Sequence, residues 1–121
     1  MSKKLNAMEI KDKNYSIWHD TTTKIVVFQG SLRLSGSQEY APIAELLNSI
    51  ARQEPPTITL DLQELKFLNS SGINLLSKFV IEVRKKKNIQ IIVIGSNDIL
   101  WQEKLLKNLQ RLMPSLKLYF T

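Results

Sequence analysis

The sequence contains no cysteine. That removes a disulfide framework, a thiolate metal site and a cysteine nucleophile together, and it fits a reducing compartment. Histidine occurs once, as His19, on a predicted hairpin turn where it reads as a solvated surface residue. A serine hydrolase would need a base and an oxyanion hole beside its nucleophile, and it has no Gly-x-Ser-x-Gly elbow here. A glycine-rich phosphate loop is also lacking; Gly95-Ser96-Asn97 reads only as the start of a helix. No acidic pair follows the first predicted strand, Asp12 is isolated and Asp61 lies inside a strand, so the Mg²⁺-binding cluster of a phosphoacceptor-aspartate receiver is missing. No enzyme, cofactor or metal site is expected. No apolar stretch reaches membrane-spanning length; the unbroken run Ile91 to Ile94 suits a buried strand. Met1 to Ile10 is polar, with Lys3 and Lys4 followed by no sustained apolar run, so no signal peptide is expected. These absences point to a cytoplasmic protein with no direct membrane insertion.

What is present is ordinary globular material: 121 residues, 43 % apolar and 23 % charged, enough for one domain with a core of its own. Lys and Arg outnumber Asp and Glu by 17 to 11, a net charge of +6. The positive charge is spread over Lys3, Lys4, Lys11 and Lys13, over Lys104, Lys107 and Arg111, and over one block, Arg84 to Lys87. That block ends a predicted helix, where cations suit the dipole, and no aromatic residue interleaves it. Nucleic acid is therefore not an expected partner; retained binding to an oligonucleotide in moderate salt would reverse that expectation.

Residues 1–8 read as a flexible N-terminal segment and 9–121 as the domain. Tyr15 to His19 and Lys24 to Gln29 predict two strands joined by the turn Asp20-Thr21-Thr22-Thr23, an antiparallel hairpin ending at Gly30. Ser37 predicts the N-cap of a helix over about Gln38 to Gln53, with Tyr40, Ile43, Ala44, Leu47, Ile50 and Ala51 on one stripe, stopped by Pro55-Pro56. Thr57 to Leu62 predicts a strand, 63–69 a connection, and Ser71 to Lys87 a second helix. Ile89 to Ile94 predicts a strand covered on both sides. A third helix runs from a cap at Ser96 or Asn97 to about Met113, and Leu116, Leu118 and Phe120 alternate as a last strand. The order β-β-α-β-α-β-α-β predicts a single α/β domain: a mixed sheet, opening as an antiparallel hairpin and continuing in parallel βα units packed with helices.

The segment with most to say is Leu60 to Leu76, where a buried strand leads through an apolar connector into Asn69-Ser70-Ser71-Gly72 and then a strongly amphipathic helix. Local chemistry reads the turn as a helix cap, since Asn and Ser oxygens accept from the first free N–H groups. The same geometry suits a switch. A phosphate on a serine at a helix N-terminus is held by backbone donors and the dipole, and it adds about −1.5 to −2 charges to a nearly neutral surface. A partner burying the turn would then face a desolvated dianion.

Asp61, Leu62, Phe67, Ser70, Ser71, Gly72, Ile73 and Leu76 resemble the pattern of STAS domains, in particular the anti-sigma-factor antagonists of bacteria. The likeness follows the element order over most of the chain, Gly30 included, and weakens after about Asn97. It implies a non-enzymatic signalling protein that regulates transcription. Ser70 would be phosphorylated by a serine kinase, often the anti-sigma factor itself, and a PP2C-type phosphatase would remove the phosphate. The dephosphorylated form would bind the kinase-like partner. The implied docking surface is Asn69, Ser70, Ser71, Gly72 and Asn74, with Ser35 and Ser37 beside them. Asn69 stands where the family has aspartate, which keeps the cap and removes a negative charge. The alternative is a STAS module that takes no phosphate, a scaffold or the accessory subunit of a transporter, with a nucleotide as a conceivable ligand. Trp18 and Trp101 are further candidate anchors for a partner, although Trp101 is expected to pack into the sheet.

Overall fold

The structure, a computed structural model, describes residues 7–121. Its elements are β1 (Ala7–Lys11), β2 (Tyr15–Asp20), β3 (Ile25–Leu32), α1 (Gly36–Arg52), β4 (Thr57–Leu68), α2 (Ser70–Lys86), β5 (Gln90–Gly95), α3 (Leu100–Leu112) and β6 (Lys117–Phe120). The strands form one six-stranded sheet in chain order, β1-β2-β3-β4-β5-β6. The first three pair antiparallel and the last four parallel, which is the mixed sheet the alternation of strands and helices predicts.

Because the parallel strands advance in one direction, right-handed crossovers leave α1, α2 and α3 on the same side of the sheet. Burial follows. The registered row Val26, Leu60 and Val93 is fully buried, whereas the next row, Val27, Asp61 and Ile94, is half-buried. The expectation that β5 is covered on both sides is thus corrected: Ile91 and Val93 face the helices, while Ile92 and Ile94 lie on the open face. The core between the layers takes Ile43, Leu47 and Ile50 from α1, Leu76, Phe79 and Val80 from α2, and Leu105, Leu106 and Leu109 from α3. Each such side chain contributes about 1.5–3 kcal/mol when fully buried.

The boundaries differ from expectation in instructive places. Most of the flexible segment expected over 1–8 lies outside the described residues, and Ala7 and Met8 open a strand, β1, that alternation did not reveal. It is an edge strand, registered on β2 from Ala7↔Asp20 to Lys11↔Ser16. β3 does not end at Gly30 but runs on to Leu32, with Gly30 at φ +92°. A Cβ there would lie 2.3 Å from the Asn14 carbonyl oxygen and 2.9 Å from Tyr15 Cα, so this position requires glycine. β4 absorbs most of the expected connection 63–69 and ends at Leu68. His19 is corrected from a solvated turn to β2, where it is 8 % exposed on the helix-covered face. No helix among the described residues is long and apolar enough to cross a membrane.

Candidate functional site

The far end of β4 positions the turn. Asp61 faces Val27 but Glu64 faces Gln29, and Leu65 faces Gly30 but Phe67 faces Ser31, so β4 carries two bulged residues relative to β3. The bulges bring Leu62, Leu65 and Leu68 onto the buried face at a spacing of three. They also turn the Leu62 and Leu65 carbonyls away from the ladder. Gln102 of α3, 0 % exposed, receives both: its Nε2 donates to Leu62 O at 2.7 Å and Leu65 O at 3.0 Å, while its Oε1 accepts from Ser96 N–H at 2.8 Å. Every hydrogen-bonding atom on this buried amide points at an orphaned backbone group, as burial of polar groups demands.

Beyond Leu68, Asn69 N–H still bonds Leu32 O at 3.2 Å, and the chain then turns into α2. Asn69 is the N-cap (φ −84°, ψ 179°), and its Oδ1 accepts from Gly72 N–H at 3.1 Å. The same oxygen accepts from the Tyr40 hydroxyl at 2.7 Å, and Nδ2 donates to Leu34 O at 2.8 Å. Burial raises the pKa of Tyr40 above its usual value, so the phenol keeps its proton and stays a donor. Gly72 is there for close packing: a Cβ would lie 2.2 Å from Leu68 Cδ1 and 2.8 Å from the Tyr40 hydroxyl. The helix therefore starts at Ser70, one residue earlier than predicted.

Within the motif each residue has a distinct place. Asn69 is half-buried and bonded through both side-chain polar atoms, Gly72 is buried, Ser71 is half-buried and Ser70 is exposed. Asn69 Nδ2 ties the turn to the β3–α1 loop, which holds Ser35 and leads to Ser37. Ser37, Ser71 and Asn74 line one groove of about 500 Å³ between α1 and α2, with Leu47 and Phe79 also in its wall. The structure thus brings together the two segments that carry the sequence candidates. Ser37 is corrected as the cap of α1: the N-cap is Ser35, which makes no side-chain cap bond, and its N–H donates to Glu39 Oε1 at 2.8 Å. The expected caps of α3, Ser96 and Asn97, give way to Ile99, because Gln102 and the Ser96 hydroxyl, which accepts from Asp98 N–H at 3.1 Å, hold that turn.

The electrostatics favour an anion at the turn. α2 has no acidic residue in its first turn and Arg84, Lys85 and Lys86 in its last, so nothing offsets the positive end of the dipole. Sequence reasoning missed three neighbours. Tyr40 counted only as part of an apolar stripe. Arg33, just past β3, lies 4.4 Å from the Phe67 ring centroid, and Phe67 is 37 % exposed. Leu100, at the start of α3, is 90 % exposed. Trp101 Nε1 donates to Lys66 O at 2.8 Å, which draws this first turn of α3 to the end of β4. His19 is far from all of this: its row crosses β4 at Leu60, ten residues before Ser70. Among the described residues no group of three or more His, Cys, Asp or Glu side chains is placed to hold a metal ion.

Comparison with known proteins bears on this architecture. Among solved structures, apo-SiaC from Pseudomonas aeruginosa matches with a TM-score of 0.72 at 13 % identity, over 95 % of this chain and 98 % of that one. A chain from the crystal structure of the P. aeruginosa diguanylate cyclase SiaD in complex with its activator SiaC matches with a TM-score of 0.70 at 12 % identity, over 93 % and 97 %. An anti-sigma factor antagonist from Mycobacterium paratuberculosis matches with a TM-score of 0.57 at 18 % identity, over 93 % and 83 %. At these identities the likeness is one of fold. No curated protein sequence matches the chain. The STAS domain family model matches residues 17–111, from β2 through nearly all of α3 and across the Ser70 turn, and the chain belongs to the STAS domain family.

Proposed function

We propose that this chain is a non-enzymatic, cytoplasmic STAS switch whose Ser70 takes a phosphate and whose unphosphorylated turn binds a partner of the serine-kinase or anti-sigma type. The observation that carries the reading is the division of labour within the motif. Asn69 is bonded, Gly72 is packed and Ser71 is half-buried in the groove wall, while Ser70 alone of the four is exposed, at the start of a helix whose first turn has no acidic residue. A phosphate there gains from the dipole and leaves the core untouched. It also places about −1.5 to −2 charges where a partner would dock. The docking surface comprises Asn69, Ser70, Ser71, Gly72 and Asn74 with Ser35 and Ser37, and a PP2C-type phosphatase would reset it.

The test is mass spectrometry of the chain after incubation with ATP and a serine kinase of the anti-sigma type. One phosphate on Ser70, absent in Ser70→Ala, is the expected result. No phosphate at Ser70, with Ser70→Ala binding the partner like wild type, would remove the switch.

A second reading concerns the partner rather than the site: the chain would activate an enzyme, as SiaC is the activator of the diguanylate cyclase SiaD. What favours it is the extent of the likeness, which takes in 95–98 % of the SiaC chains against 83 % of the anti-sigma factor antagonist. Raised cyclase activity of a purified partner on adding the unphosphorylated chain would support it; unchanged activity would not.

A further inference from the structure

Asn69 spends every polar atom of its side chain on a different element. Oδ1 accepts from Gly72 of α2 and Tyr40 of α1, and Nδ2 donates to Leu34 in the β3–α1 loop. These roles need one group that accepts and one that donates, side by side, at neutral pH. An amide has both; a carboxylate only accepts. With aspartate here, the second oxygen would take the place of Nδ2, 2.8 Å from the Leu34 carbonyl oxygen, setting two acceptors against each other. The aspartate expected from the family pattern is therefore the wrong side chain for this surrounding.

We propose that Asn69 is the positioning residue of the Ser70 site: a neutral clamp that joins the start of α2 to the β3–α1 loop and keeps that first turn free of resident charge. The clamp makes the turn and the loop one surface, so that Ser35, Ser37 and Ser70 hold fixed relative positions. Its neutrality makes Ser70 the one place in the turn where charge appears. The clamp stands on the hydrogen bonds alone, whereas the charge argument rests on Ser70 being the phosphoacceptor.

The experiment compares wild type, Asn69→Asp, Asn69→Ser, Ser70→Asp and the Asn69→Asp/Ser70→Asp double variant by thermal melts from pH 8 to pH 4. Amide hydrogen exchange is followed over residues 34–38. At pH 7 Asn69→Asp is expected to melt about 3–6 °C below wild type, with exchange in the loop at least ~10-fold faster, since a tenfold change needs only about 1.4 kcal/mol. Both effects should shrink as pH falls through the new carboxyl's pKa. The protonated acid can donate to Leu34 O and still accept with its other oxygen. The Leu34 O repulsion acts at 2.8 Å and is taken to outweigh the pull of the helix dipole on the carboxylate, so the folded pKa is raised: the penalty is full at high pH and absent at low pH. Asn69→Ser keeps a capping oxygen but has no second group for Leu34, so its deficit should persist at low pH. The other titratable groups at the site are Tyr40, Tyr15 behind it, and Glu39, which accepts from Ser35 N–H. The tyrosines, whose pKa values burial raises, stay protonated throughout, and Glu39 is present in every variant and in the wild-type control. The double variant should lose more than the sum of its parts, because it places two carboxylates side by side.

Asn69→Asp melting like wild type at pH 7, or a deficit that does not recover in acid, would overturn the clamp. Simple additivity in the double variant would overturn the charge argument. A pH-reversible deficit in a chain whose Ser70 takes no phosphate would keep the clamp and sink the phosphoacceptor reading.

Discussion

Two strand-to-helix junctions share one rim of the sheet, β4–α2 and β5–α3, and they are built in opposite ways. The first is a single residue long and closed by side chains: Asn69 caps, Tyr40 and Leu34 hold it, and Gly72 lets Leu68 pack against the helix. The second is a four-residue turn, Ser96 to Ile99, whose N-cap makes no side-chain bond. It is fastened from inside by Gln102 and leaves Leu100 in solvent. The first arrangement suits a surface that has to present one hydroxyl in one place. The second trades local capping for a buried tie across the core, and that tie also supports the first junction, because Gln102 carries the bulged carbonyls of β4 that aim the strand at Ser70.

The most damaging way to break this contrast is Gln102→Leu, which strands Leu62 O and Leu65 O in the core and takes the partner from the half-buried Ser96 N–H. At about 1–3 kcal/mol for each unsatisfied group the loss should reach about 3 kcal/mol or more, read by chemical denaturation. Both junctions should loosen together in hydrogen exchange. Loosening confined to residues 96–100 would show that the β4 bulge holds itself.

Gly72→Ala attacks the first junction alone. Its Cβ would collide with Leu68 Cδ1 and crowd the Tyr40 hydroxyl, so a loss of about 2 kcal/mol is expected, in the range of other overpacked sites. Gain of stability from the better helix former would mean that the close approach is not needed.

A smaller effect should come with pH. His19 has its pKa lowered, by burial first and by Lys24 second. The unfolded state then takes up the proton more readily than the fold. Stability is whole above the unfolded value of about 6.5 and declines as pH falls below it. Melting temperature should drop between pH 7 and pH 5, and His19→Leu should flatten that slope; an unchanged slope would assign it to other groups. Least of all, Leu100→Ser should leave stability within about 0.5 kcal/mol. If the exposed leucine belongs to the docking rim, its effect will appear in partner affinity instead.

How far the sequence foretold these features depended on the range of the interaction. The cap at Asn69 and the need for Gly72 come from neighbours within a few residues, and turn chemistry announces them. The Tyr40 and Leu34 contacts cross 29 and 35 residues, so Tyr40 read as one more member of an apolar stripe. β4 shows the same limit. Leu62, Leu65 and Leu68 are spaced by threes, which breaks the two-residue period of a strand and made 63–69 look like a connection. The carbonyls that the bulges free are received by Gln102, 40 residues from Leu62. Alternation does not reveal β1, because Ala7–Lys11 is an edge strand that, among the described residues, pairs with β2 alone. The sequence places a turn at Asp20 and so His19 beside it, whereas Asp20 is the last residue of β2 and registers with Ile25.

The most direct measurement is the affinity of the purified serine-kinase-type partner for the full chain carrying either serine or phosphoserine at position 70, by titration calorimetry at one salt concentration. If Ser70 is the switch, the unmodified chain binds and the phosphorylated chain binds at least ~10-fold more weakly, a difference of about 1.4 kcal/mol, with both forms melting as folded domains. Equal affinity of the two forms would contradict it.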